Sequence, residues 1–193
     1  MNPIAIHARH HDPASPTFEI LVVHSTLVAR KALEIARAWS ERHPEESLDL
    51  DFLSEAALLH DIGIGLCEAP ELYCSGTEPY LCHGILGRGL LEKEELPLHA
   101  LVCERHTGAG ITAAEVRDGD LPLPERDYLP VSLEEKIICV ADKFYSKKPA
   151  RLWIEKEPAA IARSMDRWGR DRGQSSRPGR RRRWTPDPTR SAS

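Results

Sequence analysis

With 193 residues, the chain is long enough for one domain with a sizeable core and too short for two of ordinary size. Its formal charge of −4 hides an asymmetry: from Gly169 onward eight arginines face only Asp171 and Asp187, so the preceding body holds 18 basic against 28 acidic residues, a net −10. A body that acidic argues against nucleic acid or an anionic membrane as its partner, leaves any long polyanion to the tail, and points to small ligands. The five cysteines (67, 74, 82, 103 and 139) form an odd set without a CxxC pair, which suits free, mostly buried thiols in a reducing compartment. No charged-then-apolar leader opens the chain and no apolar run approaches the roughly 20 residues that cross a bilayer, so a soluble, cytoplasmic protein is expected.

Residues 1–16 combine prolines with His7, His10 and His11 and show no helical periodicity, which predicts a loose N-terminal arm. From about Thr17 to Ser40, Val28, Ala32, Ile35, Ala36 and Trp39 recur at three- and four-residue spacing and predict a long amphipathic helix with His24 in its first turns, ended by His43-Pro44. Asp51 is a candidate N-cap for a second helix, FLSEAALLHDI, which Gly63 and Gly65 terminate, so His60 and Asp61 fall in its last turn. A loop over 63–82 leads to a third helix from near His83 through ILGRGLLEKEE, and a fourth follows Pro97 as LHALVCERH with His106 at its end. TGAG predicts a glycine turn, ITAAEVRDG a short helix, and LPLPERDYLP a proline-punctuated loop. Ser132 and Glu135 form a capping-box pattern that opens LEEKIICVADKFYSKK, the helix carrying Asp142.

With no internal repeat, no convincing strand and no coiled-coil heptad, the chain reads as all-α, with one domain over 17–168. Residues 169–193 cannot bury enough apolar area to offset the entropy of ordering them, which predicts a basic, disordered, Arg-rich tail. That tail reads either as an arm for nucleic acid or an acidic partner, or as an accident of sequence without function.

Six residues carry the chemistry: His24, His60, Asp61, His83, His106 and Asp142. Each alone is ordinary, since a lone His is more often a satisfied core or surface residue than a ligand. Together they fall at helix ends or on helix faces that a bundle can bring to one rim. Imidazole nitrogen and carboxylate oxygen without thiolate suit Mn, Fe, Co or Zn, with Mg also open, better than Ca or a Cys-rich structural zinc site. A cation at the end of the His60-Asp61 helix would also meet the negative end of its dipole, worth about 0.3–1 kcal/mol.

The order H…HD…H…H…D, in the strings LLHDIGIG, CHGILG, ERHTGAG and ICVADKF, resembles the HD superfamily of metal-dependent phosphohydrolases over roughly residues 18–150. Within it the chain is similar to the small bacterial HDIG-type proteins and to the dinuclear branch, which includes hydrolases of symmetrical dinucleotides and HD-GYP phosphodiesterases. The resemblance implies an HD-domain helical bundle in which His24, His60, Asp61 and Asp142 hold one divalent ion. Asp61, catalytic as well as ligating, would bridge to a second ion on His83 and His106, with the two ions about 3.5–4 Å apart. The implied reaction is cleavage of a phosphoester bond, in a nucleotide or other small phosphorylated substrate, by a hydroxide that the ions activate.

In one respect the sequence departs from this pattern. Several dinuclear relatives place a lysine directly after HDIG, where it can meet phosphate, and this chain has Ile64 and Gly65. Lys143 beside Asp142 is the favoured substitute. Arg105 beside His106 is a second candidate, whereas Arg88 and Arg126 read as surface charges. The turn holding Gly108 and Gly110 could offer backbone N–H groups to a phosphate, and a plain helix C-cap explains it equally well. The missing lysine keeps a mixed-valent diiron oxygenase in view, and a non-catalytic ligand-sensing module using the tail is the third reading.

Overall fold

The computed structural model of the protein describes residues 1–161 and 163; the Arg-rich segment 169–193 lies outside them, as does the expected domain end at Trp168. The described residues form the expected all-α fold: α1 (Pro3–His10), α2 (Pro16–Ser40), α3 (Leu50–Leu59), α4 (His83–Lys93), α5 (Pro97–Arg105), α6 (Ala113–Asp118) and α7 (Leu133–Asp142). A two-residue antiparallel pair, β1 (Glu68–Ala69) with β2 (Cys74–Ser75), interrupts the expected loop over 63–82, with Glu68 opposite Ser75 and Ala69 opposite Cys74. None of the described helices is long and apolar enough to cross a membrane.

Ser15 starts α2 by accepting the Phe18 N–H, with Pro16 in the first turn where its missing N–H costs nothing. Asp49, two residues ahead of the expected cap Asp51, does the same for α3 through the Phe52 N–H at 2.9 Å. The main core lies between α2, α3 and α7, built from Leu27, Val28, Leu53, Ile137 and Ile138. Small side chains along the contact, Ala29, Ala32 and Ala36 from α2 with Ala56 and Ala57 from α3, let the backbones approach and bring the His24 and His60 rings to 5.4 Å.

A second contact uses glycine. Residues Ile62–Leu66 form a 3-10 turn that lies on α4, where a Cβ on Gly63 would sit 2.1 Å from the His83 carbonyl oxygen and 2.4 Å from the Gly87 nitrogen. A Cβ on Gly87 would in turn meet Cys103 Sγ at 2.2 Å, and one on Gly84 would meet the Cys103 carbonyl at 2.8 Å. The HDIG turn, α4 and α5 therefore stack backbone to backbone, which fixes His83 and His106 relative to Asp61.

Three expectations are corrected. Residues 1–16 are not a loose arm: Asn2 caps α1 by accepting the Ala5 N–H, Ile6 is buried against Leu59, Ile62 and Leu91, and His7 is fully buried at the Leu58 carbonyl. His7, which reads as polar in the sequence, thus shares the buried face of this helix with Pro3 and Ile6. Helix α7 ends at Asp142 instead of running on to Lys148, and the chain folds back as a strap over α2. Tyr145 Oη donates to Glu155 at 2.7 Å, Lys31 Nζ holds the same carboxylate at 2.6 Å, and Leu152 joins Ile20, Leu21 and Ile64. Finally, the Glu135 carboxylate does not return to Ser132; it accepts from Val131 N at 2.6 Å and from Arg105, and the reciprocal capping box belongs to Thr112 and Glu115 of α6.

Two outcomes are expected. Gly63→Ala must push α4 away from the HDIG turn, since backbone atoms cannot yield, and should cost about 2–3 kcal/mol in chemical denaturation; wild-type stability would refute the interlock. His7 Nε2 donates to the Leu58 carbonyl at 2.8 Å, so Nδ1 is bare, buried and unpaired, and burial pulls the pKa down from 6.5 to about 4. A folded pKa below the unfolded one gives stability that is full above about pH 6.5 and lost as pH falls towards 4, at most about 3 kcal/mol. His7→Gln, which keeps a donor and does not titrate, should flatten the profile of melting temperature against pH in that window.

Candidate metal centre

Six side chains converge from five helices and the turns at their ends. His24 lies in the third turn of α2, His60 caps the C-terminus of α3 and Asp61 follows it, His83 opens α4, His106 caps the C-terminus of α5, and Asp142 is the last residue of α7. They form two groups with ligand atoms within 4.8 Å of one another, His24/His60/Asp61/Asp142 and Asp61/His83/His106. Asp61 belongs to both. Its Oδ2 lies 3.3 Å from His24 Nε2 and 3.0 Å from His60 Nε2, while Oδ1 lies 3.3 Å from His106 Nε2 and 3.6 Å from His83 Nε2. Asp142 Oδ1 completes the first group, 3.0 Å from His24 and 3.5 Å from His60.

Three of the histidines are oriented in one way. His60 Nδ1 donates to the Ala57 carbonyl at 2.6 Å, His83 Nδ1 to Tyr80 at 2.7 Å and His106 Nδ1 to Cys103 at 2.7 Å. Each partner is the carbonyl three residues upstream, at the C-terminal end of a helical segment where carbonyls lack partners from a following turn, although that of Tyr80 also accepts the His83 N–H. Because a carbonyl only accepts, Nδ1 carries a proton, so in the neutral ring Nε2 presents its lone pair to the centre, the orientation that second-shell partners give metal-bound histidines. His83 Nε2 and His106 Nε2 then face each other at 3.1 Å with the Asp61 carboxylate beside them, three acceptors with no proton among them.

Burial sharpens this arrangement. His24, His60 and Asp61 have no exposed surface, and the partners of the Asp61 oxygens are the surrounding histidines and one lysine. Burial, and after it the neighbouring His106, pull the His83 pKa down to about 3, and His106 is lowered by burial too, so both are neutral as metal ligation requires. Burial works against charge on His60 as well, yet Asp61 and Asp142 outweigh it and hold that pKa at about 9. Burial likewise opposes ionisation of Asp61, but His60 and Lys147 keep it well below the usual carboxylate range. A divalent ion fits the donor set: with metal–nitrogen bonds of about 2.0–2.1 Å, neighbouring ligands are about 3.0–3.4 Å apart, the spacing that these acceptors keep.

The cations around the centre divide differently from expectation. Arg105 turns to Glu135, at 3.1 Å from its Oε1, and Arg88 and Arg126 both clamp the buried Glu104, Arg88 at 2.6 Å. Lys143 stands at the rim, 3.9 Å from the outer oxygen of Asp142. Lys147 enters the cage, with Nζ 2.8 Å from Asp61 Oδ2 and 3.5 Å from Asp142 Oδ1. Sequence reasoning missed it because a helix continued through Lys148 would carry residue 147 about 140° around the axis from Asp142, whereas the end of α7 and the strap turn it back. Gly108 and Gly110 have positive φ, and a Cβ on Gly110 would press on Leu129 and Pro130, so the glycine turn meets a backbone demand. All five cysteines are free and buried, and burial pushes Cys67, Cys82 and Cys139 up to about 12, which leaves them protonated donors outside the ligand set.

Comparison with known proteins places the same segment. The HD domain model matches residues 21–146. An uncharacterised protein of Methanocaldococcus jannaschii is 38% identical over 128 residues, covering 64% of this chain and 65% of that protein. Two tRNA (cytidine(56)-2′-O)-methyltransferases also match: that of Picrophilus torridus is 36% identical over 51% of this chain and 25% of its own length. That of Thermoplasma volcanium is 27% identical over 66% of this chain and 32% of its own. The chain thus spans less than two thirds of each of these relatives, and no solved structure matches it. Since the matched segment contains every residue from His24 to Asp142 that builds the two ligand groups, the chain belongs to the HD domain family, of the metal-dependent phosphohydrolase superfamily.

Proposed function

We propose that this protein is an enzyme that hydrolyses a phosphoester bond of a nucleotide or other small phosphorylated substrate, using one or two divalent ions. The observation that carries this reading is Asp61, which is fully buried and offers one oxygen to each of two histidine groups, with Lys147 ion-paired to one of the two. When bound, such ions polarise phosphoryl oxygens and lower the pKa of water. The protein's own part is preorganisation. Nδ1–carbonyl bonds at His60, His83 and His106 set the ligand lone pairs in advance, so little reorganisation is needed when charge develops. The C-terminal ends of α3 and α5 point their negative poles at the centre. Full burial of His24, His60 and Asp61 keeps bulk water off the ligand face and strengthens every charge interaction there.

Similarity to two enzymes named for a tRNA substrate favours a nucleotide or an RNA-derived phosphoester over other phosphorylated metabolites. The diiron oxygenase reading uses the same ligands and differs in its product, so one set of measurements separates the two.

Anaerobically purified wild type and His83→Ala/His106→Ala are compared by metal mass spectrometry and by phosphate release from mononucleotides, dinucleotides and short RNAs. About two ions in the wild type, about one in the double variant and a loss of turnover of about 100-fold or more are expected. A wild type that takes up no divalent ion overturns the reading. Iron-dependent oxygen consumption without phosphate release replaces it with the oxygenase.

A further inference from the structure

We propose that Lys147 is the substrate-anion ligand of this centre: the ammonium group that receives the non-bridging oxygens of a phosphoester at the mouth of the cage. The inference rests on the phosphohydrolase reading and deepens it, since it names the side chain that recognises the charged part of the substrate.

Position is the first argument. The ligand cage is closed on most sides, with side chains of His24, His60 and Asp61 fully buried and those of His83 and His106 nearly so. Its partly open groups are Asp142 and Lys147, whose side chains are 15% and 14% exposed. A ligand arriving from solvent therefore meets these two first. One of them is an anion turned towards the ligand cluster, and the other is a cation on a flexible stem of four carbons.

Charge is the second. Asp61 and Asp142 bring two carboxylates into the cage, and Lys147 compensates them from 2.8 and 3.5 Å. Divalent ions held by these residues would make the cage net positive, and the ammonium group on its flexible stem would then be repelled towards the entrance. Its root does not move with it: residues 143–156 are strapped to α2 by Lys31, Glu155, Tyr145 and Leu152. With its root held there, Nζ would stay at the entrance of the loaded site, where a multiply charged oxyanion is the complementary ligand.

Competition is the third. Arg105 is held by Glu135, Arg88 and Arg126 by Glu104, and Lys143 approaches the outer oxygen of Asp142 at 3.9 Å without reaching the histidine groups. Among these cations of the described residues, Lys147 is the one in contact with both Asp61 and Asp142.

The test uses the full chain loaded with manganese and inorganic phosphate as the probe. Metal content is measured first, then phosphate affinity by calorimetry at low ionic strength, for wild type, Lys147→Met, Lys147→Arg and Lys143→Met. The expected result is wild-type metal content in all four, a phosphate affinity at least tenfold weaker in Lys147→Met, recovery of most of it in Lys147→Arg, and a change below threefold in Lys143→Met. Metal-loaded Lys147→Met that binds phosphate like the wild type overturns the assignment and leaves the metal centre standing. A Lys147→Met protein that folds by circular dichroism but fails to load metal overturns it too, and makes Lys147 a positioning residue for the cage. Wild type that loads no metal removes both this inference and the reading beneath it.

Discussion

Asp61 is an ionised carboxylate without exposed surface, and the architecture of the protein answers to that fact. An unpaired charge in such a place costs several kcal/mol, so the surroundings must supply positive charge from several sides. The protein does so with Lys147 and the proton on His60, while four imidazoles are turned towards the carboxylate with Nε2 leading. A set of acceptors this dense is unstable by itself and complementary to a cation. The donor atoms are thus best understood as a site held ready, at a cost in stability that the alanine-lined contact of α2 and α3 and the cores on either side offset.

Readiness comes from where the ligands sit on their helices. A helix leaves its final carbonyls without partners, and in α3, α5 and the 3-10 turn Tyr80–Cys82 a histidine one step beyond the end uses the carbonyl three residues back. One hydrogen bond thereby completes the helix end, chooses the tautomer and aims the ring. Buried thiols finish the same ends: Cys103 Sγ donates to the His60 carbonyl at 2.9 Å and Cys139 Sγ to that of Arg105 at 3.6 Å. The glycine stack of Gly63, Gly84 and Gly87 then sets these helix ends at a distance that no side chain larger than hydrogen permits. The glycine of the HDIG string matters here for close approach, since the helix C-terminus it follows is completed by His60 itself.

The side chains of the two candidate groups were legible because they lie in patterned helices: His60-Asp61 at the end of an apolar helix, His83 at the start of one, Asp142 on a capped one. What misled were residues whose role is decided by distant parts of the chain. His7 reads as polar and is buried, because the Leu58 carbonyl takes its one proton. Arg105 stands beside a ligand in sequence, yet Glu135 on another helix draws it aside. The helical pattern of LEEKIICVADKFYSKK runs on past Asp142, but Tyr145 and Glu155 fasten the strap to Lys31 and end the helix early. Propensity is a weak prior where tertiary contacts compete with it, and all three cases are of that kind.

The same reasoning bears on the lysine absent after HDIG. Ile64, which stands there, is fully buried among Ile20, Leu21 and Leu152, so a charged side chain at that position would enter an apolar cluster. Leu152 in that cluster belongs to the strap that delivers Lys147 from the other side of the cage. An apolar residue after the motif and a cation from downstream are therefore parts of one packing solution: the isoleucine helps anchor the segment that brings the lysine. A positive charge beside the ligand set is a matter of place in the fold, and its absence from one position of the sequence gives no ground for preferring oxidation over phosphoester hydrolysis.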